Sequence, residues 1–183
     1  AGAVRRIGTF EKLTRDEDGI SVLHFEAREH QQRGGGKPAM VKARTIIGAD
    51  GAKSQVARHA GVTGAADTQY VFAYHEIVKA PAVKPAGYDG TRCDVYYQGK
   101  LSPDFYGWVF PHGDTLSIGT GSADKGFSLR NAVGELRNAS GLGNSEVLRR
   151  EGAPLPMKPL KKWDNGRDVV LAGDAAGVVA PAS

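Results

Sequence analysis

The chain has 183 residues, enough for one domain or two small lobes with a real core. Lys and Arg number 24 against 20 Asp and Glu, so the net charge of +4 falls short of the dense cationic stripe of a dedicated nucleic-acid binder. A hydrophobic content of 40% with 24% charged residues argues against disorder, and 25 glycines with 9 prolines argue against a helical bundle.

Taken in order, residues 4–13 (VRRIGTFEKL) read as a strand ended by the acidic turn 16–19. Residues 21–28 (SVLHFEAR) alternate, with Leu23, Phe25 and Ala27 on one face, so the two segments predict a hairpin. The stretch 33–38 is a glycine-rich loop, and no Gly-Lys-Ser/Thr opens a helix after it, so it is not a phosphate loop. Extended structure resumes over 41–47 and runs into Gly48-Ala49-Asp50-Gly51; residues 53–60 then form a short helix stopped by Gly61. Short strands follow at 70–78, 94–97, 107–110 and 115–118, the third ended by Pro111, and together they suggest an antiparallel sheet. Residues 128–139 place Leu129, Val133 and Leu136 at helical spacing behind a Ser128 cap, and 145–150 reads as a second short helix. A proline-interrupted connector over 155–162 leads to the apolar strand 168–171 and then to Gly173-Asp174-Ala175-Ala176-Gly177.

Two strand-to-turn junctions stand out. In TIIGADGAKSQVARHAG, small residues let a ligand approach the turn, Asp50 is placed to accept hydrogen bonds from sugar hydroxyls, and the helix start can offer N–H groups to phosphate. In VVLAGDAAGVVAPAS, Asp174 is placed to accept from a ribityl hydroxyl, and the segment after it can present N–H groups to negative charge on a flavin ring. The bland alternative at each is a structural turn. Both motifs, in this order around a β-rich segment, resemble the FAD-dependent oxidoreductases of the aromatic-hydroxylase type. The first motif of that superfamily, a GxGxxG after the N-terminal strand, is absent, and both chain ends read as cut, so an internal fragment is expected.

The middle of the chain narrows the resemblance. In LSPDFYGWVFPHGDTLSIGTG, Tyr106, Trp108 and Phe110 share one face of a strand, and Gly119 and Gly121 flank Thr120 on the next. An aromatic stripe facing two glycines makes a flat apolar slot suited to an extended hydrocarbon, whereas the alternative is a sheet core packed on a helix. The YxWxFP spacing with GxG, together with YYQGKLSPDFYGWVFPHGD and GAPLPMKPLKKWDNGRDVVLAGDAAGVVAPAS, resembles the geranylgeranyl reductases of the chlorophyll and bacteriochlorophyll branch.

That resemblance implies an α/β (α+β) fold: a partial FAD-binding Rossmann-like domain (1–62, resuming at 164–183) with an inserted antiparallel β-rich substrate domain (63–163). It implies FAD as cofactor, held by Gly48, Ala49, Asp50, Gly51, Gly173, Asp174, Ala175 and Gly177, with NADPH as reductant. The implied reaction is hydride transfer from reduced flavin to a C=C bond of geranylgeranyl diphosphate or a geranylgeranyl chlorin ester, with a proton delivered to the other carbon. Tyr106, Trp108, Phe110, Pro111, Gly119 and Gly121 would line the prenyl slot, and Tyr106 is the candidate proton donor, water being the alternative. Such a fragment alone is expected to be inactive.

Other readings stay open at this point. A flavin monooxygenase of the same fold would hydroxylate a small aromatic, and a non-enzymatic module would use the sheet as an interaction face; convergence of Asp50 and Asp174 discriminates against the second. His24, His30, His59, His75 and His112 have no metal-ligand spacing, so no metal site is expected, and Cys93 reads as a small apolar filler. A single cysteine excludes an internal disulfide and points to a reducing compartment. No apolar stretch approaches the roughly 20 residues of a membrane span. Lys158, Lys161 and Lys162 beside Trp163 form a basic cluster that can meet a diphosphate or an anionic lipid surface, a solvated connector being the alternative. The resemblance implies a cytoplasmic location, peripheral to the photosynthetic membrane, with the prenyl substrate as partner, and the modest net charge fits no nucleic acid.

Overall fold

The hairpin read from the alternating segments forms as β1 (Ile7–Arg15) and β2 (Ser21–Arg28) in the computed structural model, which describes residues 2–28, 35–65 and 67–179. His30 and the start of the loop 33–38 lie outside the described residues. The strands are antiparallel, with Ile7 opposite Arg28 and Arg15 opposite Ser21, and a bulge between Phe10 and Lys12. At the turn the Asp16 carboxylate accepts the Ile20 N–H at 2.8 Å, and Gly19 takes the left-handed φ of +76° that the reversal needs. β3 (Lys37–Ala43) pairs with β2 to complete a three-stranded meander.

The extended run expected over 41–47 is two strands. The chain leaves the meander at Ala43 and enters a different sheet as β4 (Ile46–Gly48). Helix α1 (Gln55–His59) follows, with Val56 and Ala57 turned into the core. Far along the chain, β10 (Val169–Leu171) lies parallel to β4, Val169 opposite Ile46 and Leu171 opposite Gly48, and leads into a 3₁₀ turn at Gly173–Ala176. Ile46, Val56, Val169, Leu171 and Ala176 form the core here, with Phe10, Leu13 and Leu23 of the meander packed on it. Arg15 ties the meander to the start of β10 through Asp168, with contacts of 2.7 and 2.9 Å. These elements belong to one unit, Ala1–Thr68 with Pro156–Ser183. The 156–163 segment belongs to it because Leu160 N–H donates to Ala176 and Leu171 N–H donates to the Trp163 carbonyl.

The second unit is Gln69–Leu155. Its five-stranded sheet has the order β6-β7-β8-β5-β9, from β5 (Tyr70–Lys79), β6 (Asp94–Tyr96), β7 (Gly107–His112), β8 (Thr115–Ser122) and β9 (Val147–Pro156). Helix α2 (Leu129–Ala139) is capped by Ser128, whose Oγ accepts from Asn131 N–H. It buries Ala132, Val133 and Leu136; Val133 and Leu136 join Val78, Val109, Leu116 and Ile118 of the sheet in one cluster.

Three expectations are corrected. The helix read over 145–150 is the start of β9; Ser-Glu-Val-Leu-Arg-Arg has helix propensity, but pairing on the sheet edge beside β5 overrides it. Pro111 does not end β7: β6 reaches only as far as Val109, so a residue without an N–H sits there without breaking a ladder. Cys93 lies just before β6 and is exposed, not a core filler.

Candidate functional site

Parallel pairing of β4 and β10 brings the two Asp-containing turns together. Both strands end at the same level, Gly48 opposite Leu171, and Ala172 N–H donates to the Gly48 carbonyl at 2.9 Å. Residues 49–51 and 172–174 therefore leave the carboxyl ends of neighbouring parallel strands, the position at which open α/β sheets bind ligands.

The two aspartates do different work. The Asp50 carboxylate accepts from Ser54 Oγ at 2.6 Å, Gln55 N–H at 2.7 Å and Val56 N–H at 3.1 Å. Ser54 Oγ in turn accepts the Ala57 N–H at 2.9 Å. The first three N–H groups of α1 are thus already satisfied by the chain's own side chains. This corrects the expectation that the start of α1 offers N–H groups to phosphate. Asp50 caps a helix and holds the turn beside the strand ends. Asp174, half-buried within the 3₁₀ turn, has no side-chain hydrogen bond or ion pair among the described residues. Its carboxylate is the one with acceptor capacity to spare.

The small residues divide in the same way. A methyl at Gly48 would lie 2.8 Å from Val56 and 2.9 Å from Leu171, so this glycine serves helix-to-strand packing and is buried. Ala175 is buried in the core, and a methyl at Gly177 would run into the Lys158 carbonyl. These three positions pack the site from behind. Ala49, Gly51 and Gly173 remain at the strand ends, and nothing lies within 4 Å of where a Cβ would stand at Gly51 or Gly173, whose φ values are +81° and +58°. With the free Asp174 carboxylate, they make a rim of exposed backbone and one acceptor, which suits the polyhydroxyl chain of a flavin nucleotide. An apolar groove of about 510 Å³ opens elsewhere in this unit, lined by Phe10, Leu23, Phe25 and Val41 among others, and includes none of the sequence-selected residues.

In the second unit, alternation along β8 sends Leu116, Ile118 and Thr120 toward the α2 side, and Ser117, Gly119 and Gly121 to the opposite face. Trp108 stands opposite Gly119 and Phe110 opposite Ser117, so the aromatic stripe does share that face. Tyr106 and Trp108 meet edge to face at 6.0 Å, and Trp108 and Phe110 stack at 6.2 Å. Phe105 extends the stack onto Tyr106 at 4.1 Å.

The glycines do not face an open slot from across it. A methyl at Gly119 would lie inside the Trp108 indole and 2.6 Å from His75 Cβ, and one at Gly121 would lie 3.0 Å from the Phe105 ring. They make room for the Trp108 and Phe105 rings; Trp108 is itself buried, and the half-buried rings of this face are Phe105, Tyr106 and Phe110. Pro111 stands opposite Leu116 and so shares the α2-facing side, not the face of the stack, a correction to the expected slot lining. Burial, with Tyr97 nearby, raises the Tyr106 phenol above its ordinary value, so it stays protonated at neutral pH.

Sequence reasoning missed three groups on this face. Trp108 Nε1–H donates to Ser117 Oγ at 3.0 Å, Ser117 Oγ bonds His75 Nδ1 at 2.9 Å, and His75 Nε2 meets Glu151 at 3.1 Å. The period-two spacing Ser117-Gly119-Gly121 is the available signal, and His75 has no metal-ligand spacing to mark it.

Strand-end geometry of this kind marks a nucleotide-type ligand position of an α/β unit, and the chain belongs to the FAD binding domain family, which matches residues 3–183. Among its relatives, geranylgeranyl diphosphate reductase of Rhodobacter capsulatus is 51% identical over 183 residues, covering all of this chain and 44% of that protein. The chloroplastic geranylgeranyl diphosphate reductase of rice (Oryza sativa subsp. japonica) is 36% identical over 172 residues, 92% of this chain and 36% of its own length. The chain thus spans less than half the length of these relatives. A geranylgeranyl bacteriochlorophyll reductase-like protein from Thermoplasma acidophilum shares the fold with a TM-score of 0.64 at 21% identity, over 95% of this chain and 43% of that one.

Proposed function

We propose that the whole protein is an FAD-dependent oxidoreductase that saturates C=C bonds of a geranylgeranyl chain, carried as the diphosphate or as a chlorin ester, with NADPH as reductant, in (bacterio)chlorophyll biosynthesis. The observation that carries the reading is the convergence of the Asp50 and Asp174 turns at the ends of one parallel strand pair. A mere interaction module has no need of it. The relatives that cover the full chain are named as prenyl reductases, which favours a prenyl chain over a small aromatic substrate.

In this reading Asp174, with the Ala49, Gly51 and Gly173 backbone, holds the sugar-alcohol chain of FAD. Bound flavin supplies the hydride. An isolated alkene offers little charge to grip, so alignment carries much of the catalysis. In this reading the Trp108, Phe110 and Tyr106 side chains supply an apolar surface for that alignment, and the protonated Tyr106 hydroxyl is the candidate proton donor. A location at the surface of the photosynthetic membrane is supported by Trp163, 47% exposed beside Lys158, Lys161 and Lys162. Among the described residues no helix is long and apolar enough to cross a membrane.

The test is anaerobic reduction of the flavin-loaded complete protein by NADPH, followed by product analysis with geranylgeranyl diphosphate and with the geranylgeranyl chlorin ester. Saturated prenyl products are expected. A flavin that NADPH reduces without any saturation of either substrate, or a protein that takes up no FAD, would overturn the proposal.

A further inference from the structure

The indole of Trp108 is held by more than its neighbours' bulk. It is 8% exposed and lies on Gly119, and its N–H, which can only donate, is spent on Ser117 Oγ. Ser117 Oγ accepts from Trp108 at 3.0 Å and lies 2.9 Å from His75 Nδ1. His75 Nε2 faces the Glu151 carboxylate at 3.1 Å, which can only accept, so Nε2 carries a proton, and in the neutral ring Nδ1 accepts the Ser117 O–H. Glu151 is anchored in turn by Arg149 Nε at 2.8 Å. Every donor meets an acceptor in one direction, and the four linked residues come from four different strands, β7, β8, β5 and β9.

A buried indole N–H needs only one acceptor, and a lone serine would suffice for that. A serine whose hydroxyl is itself oriented by an imidazole, itself oriented by a carboxylate, does something further: it removes rotational freedom from the acceptor and so from the ring. Trp108 sits in the middle of the aromatic wall, between Tyr106 and Phe110. Its tilt sets the surface that both neighbours continue.

We propose that Ser117, His75 and Glu151 are positioning residues that lock the Trp108 indole, and through it the aromatic wall, at the orientation required to align the prenyl chain. This rests on the prenyl-reducing function proposed above. The residues act through Trp108 and touch neither cofactor nor reacting atoms.

The test uses the flavin-loaded complete protein with Ser117→Ala and Ser117→Thr, and reads two quantities. One is the Trp108 indole N–H resonance, assigned by its loss in Trp108→Phe. In Ser117→Ala it should shift and exchange with water about tenfold faster, the loss of one buried hydrogen bond, and Ser117→Thr should restore it. The other is turnover of geranylgeranyl diphosphate. In Ser117→Ala kcat should fall about tenfold with KM changed less than about twofold, because orientation is lost and affinity is not. An unchanged indole signal in Ser117→Ala overturns the lock, and a changed signal with unchanged kcat overturns its role in alignment. Parent protein that saturates no prenyl bond overturns the proposed function and the alignment role with it, while the indole signal still judges the lock.

Discussion

Replacing Asp50 by alanine separates a structural aspartate from a ligand-binding one. The carboxylate accepts three hydrogen bonds, from Ser54 Oγ and from the N–H groups of Gln55 and Val56. Losing a helix cap costs about 1 kcal/mol. Here one carboxylate caps two N–H groups and also orients the Ser54 hydroxyl that caps a third, so about 2 kcal/mol is expected. Val56 and Ala57 on α1 are 6% and 1% exposed, so fraying of this five-residue helix reaches the core of its unit. With a urea slope of about 1–3 kcal/mol per M, the unfolding midpoint should fall by about 1 M. Asp50→Asn keeps one carbonyl acceptor and should lose about half as much. Urea titration followed by circular dichroism measures this, and FAD titration of the folded variants should give a dissociation constant within about threefold of the parent. Unchanged stability with FAD binding abolished would refute the capping role and return Asp50 to the ligand.

Two further outcomes follow from paired charge. Glu76, 6% exposed, accepts from Arg137 at 2.9 Å, Arg150 at 3.2 Å and the Tyr74 hydroxyl at 2.8 Å. Glu76→Gln keeps the shape but leaves Arg137 without its carboxylate, and should destabilise the second unit by about 2–4 kcal/mol in thermal or urea unfolding; a loss below about 0.5 kcal/mol would show that α2 and the β5 edge do not depend on this cluster. The Arg15 guanidinium, together with Ser21 and Asn165, holds the Asp168 carboxyl well below its usual range. A carboxylate depressed in the folded state contributes stability above its unfolded value of about 3.9, and that contribution is lost as pH falls through and below this value. Asp168→Asn should therefore be less stable than the parent at pH 7, and the gap should narrow below about pH 4; a gap that stays constant with pH would contradict it.

Local signals carried much of the fold. The hairpin was legible from alternation in 21–28 and the acidic turn before it, and the start of α2 from its Ser128 cap, because each depends on neighbours within a few residues. β9 was not, since the same six residues suit a helix until β5 offers an edge. At the site, Asp50 and Asp174 could be picked out, but their division of labour could not. Capping by Asp50 depends on how the Gly51–Lys53 turn folds back, where Gly51 and Lys53 both take positive φ. Gly48 reads like a ligand-contacting glycine and is one that admits Val56 and Leu171. The link from Trp108 to Glu151 crosses four strands, and no spacing along one strand reveals such a set.

In the proposed function Asp174, at the end of β10 beside the Asp50 turn, receives the flavin. FAD titration of Asp174→Ala against the parent, followed by visible absorbance, tests it most directly. Loss of a hydrogen bond to a charged acceptor is worth about 1.5–3 kcal/mol, so the dissociation constant should rise about ten- to a hundredfold while far-ultraviolet circular dichroism stays unchanged. Parent-like FAD affinity in Asp174→Ala would contradict the claim.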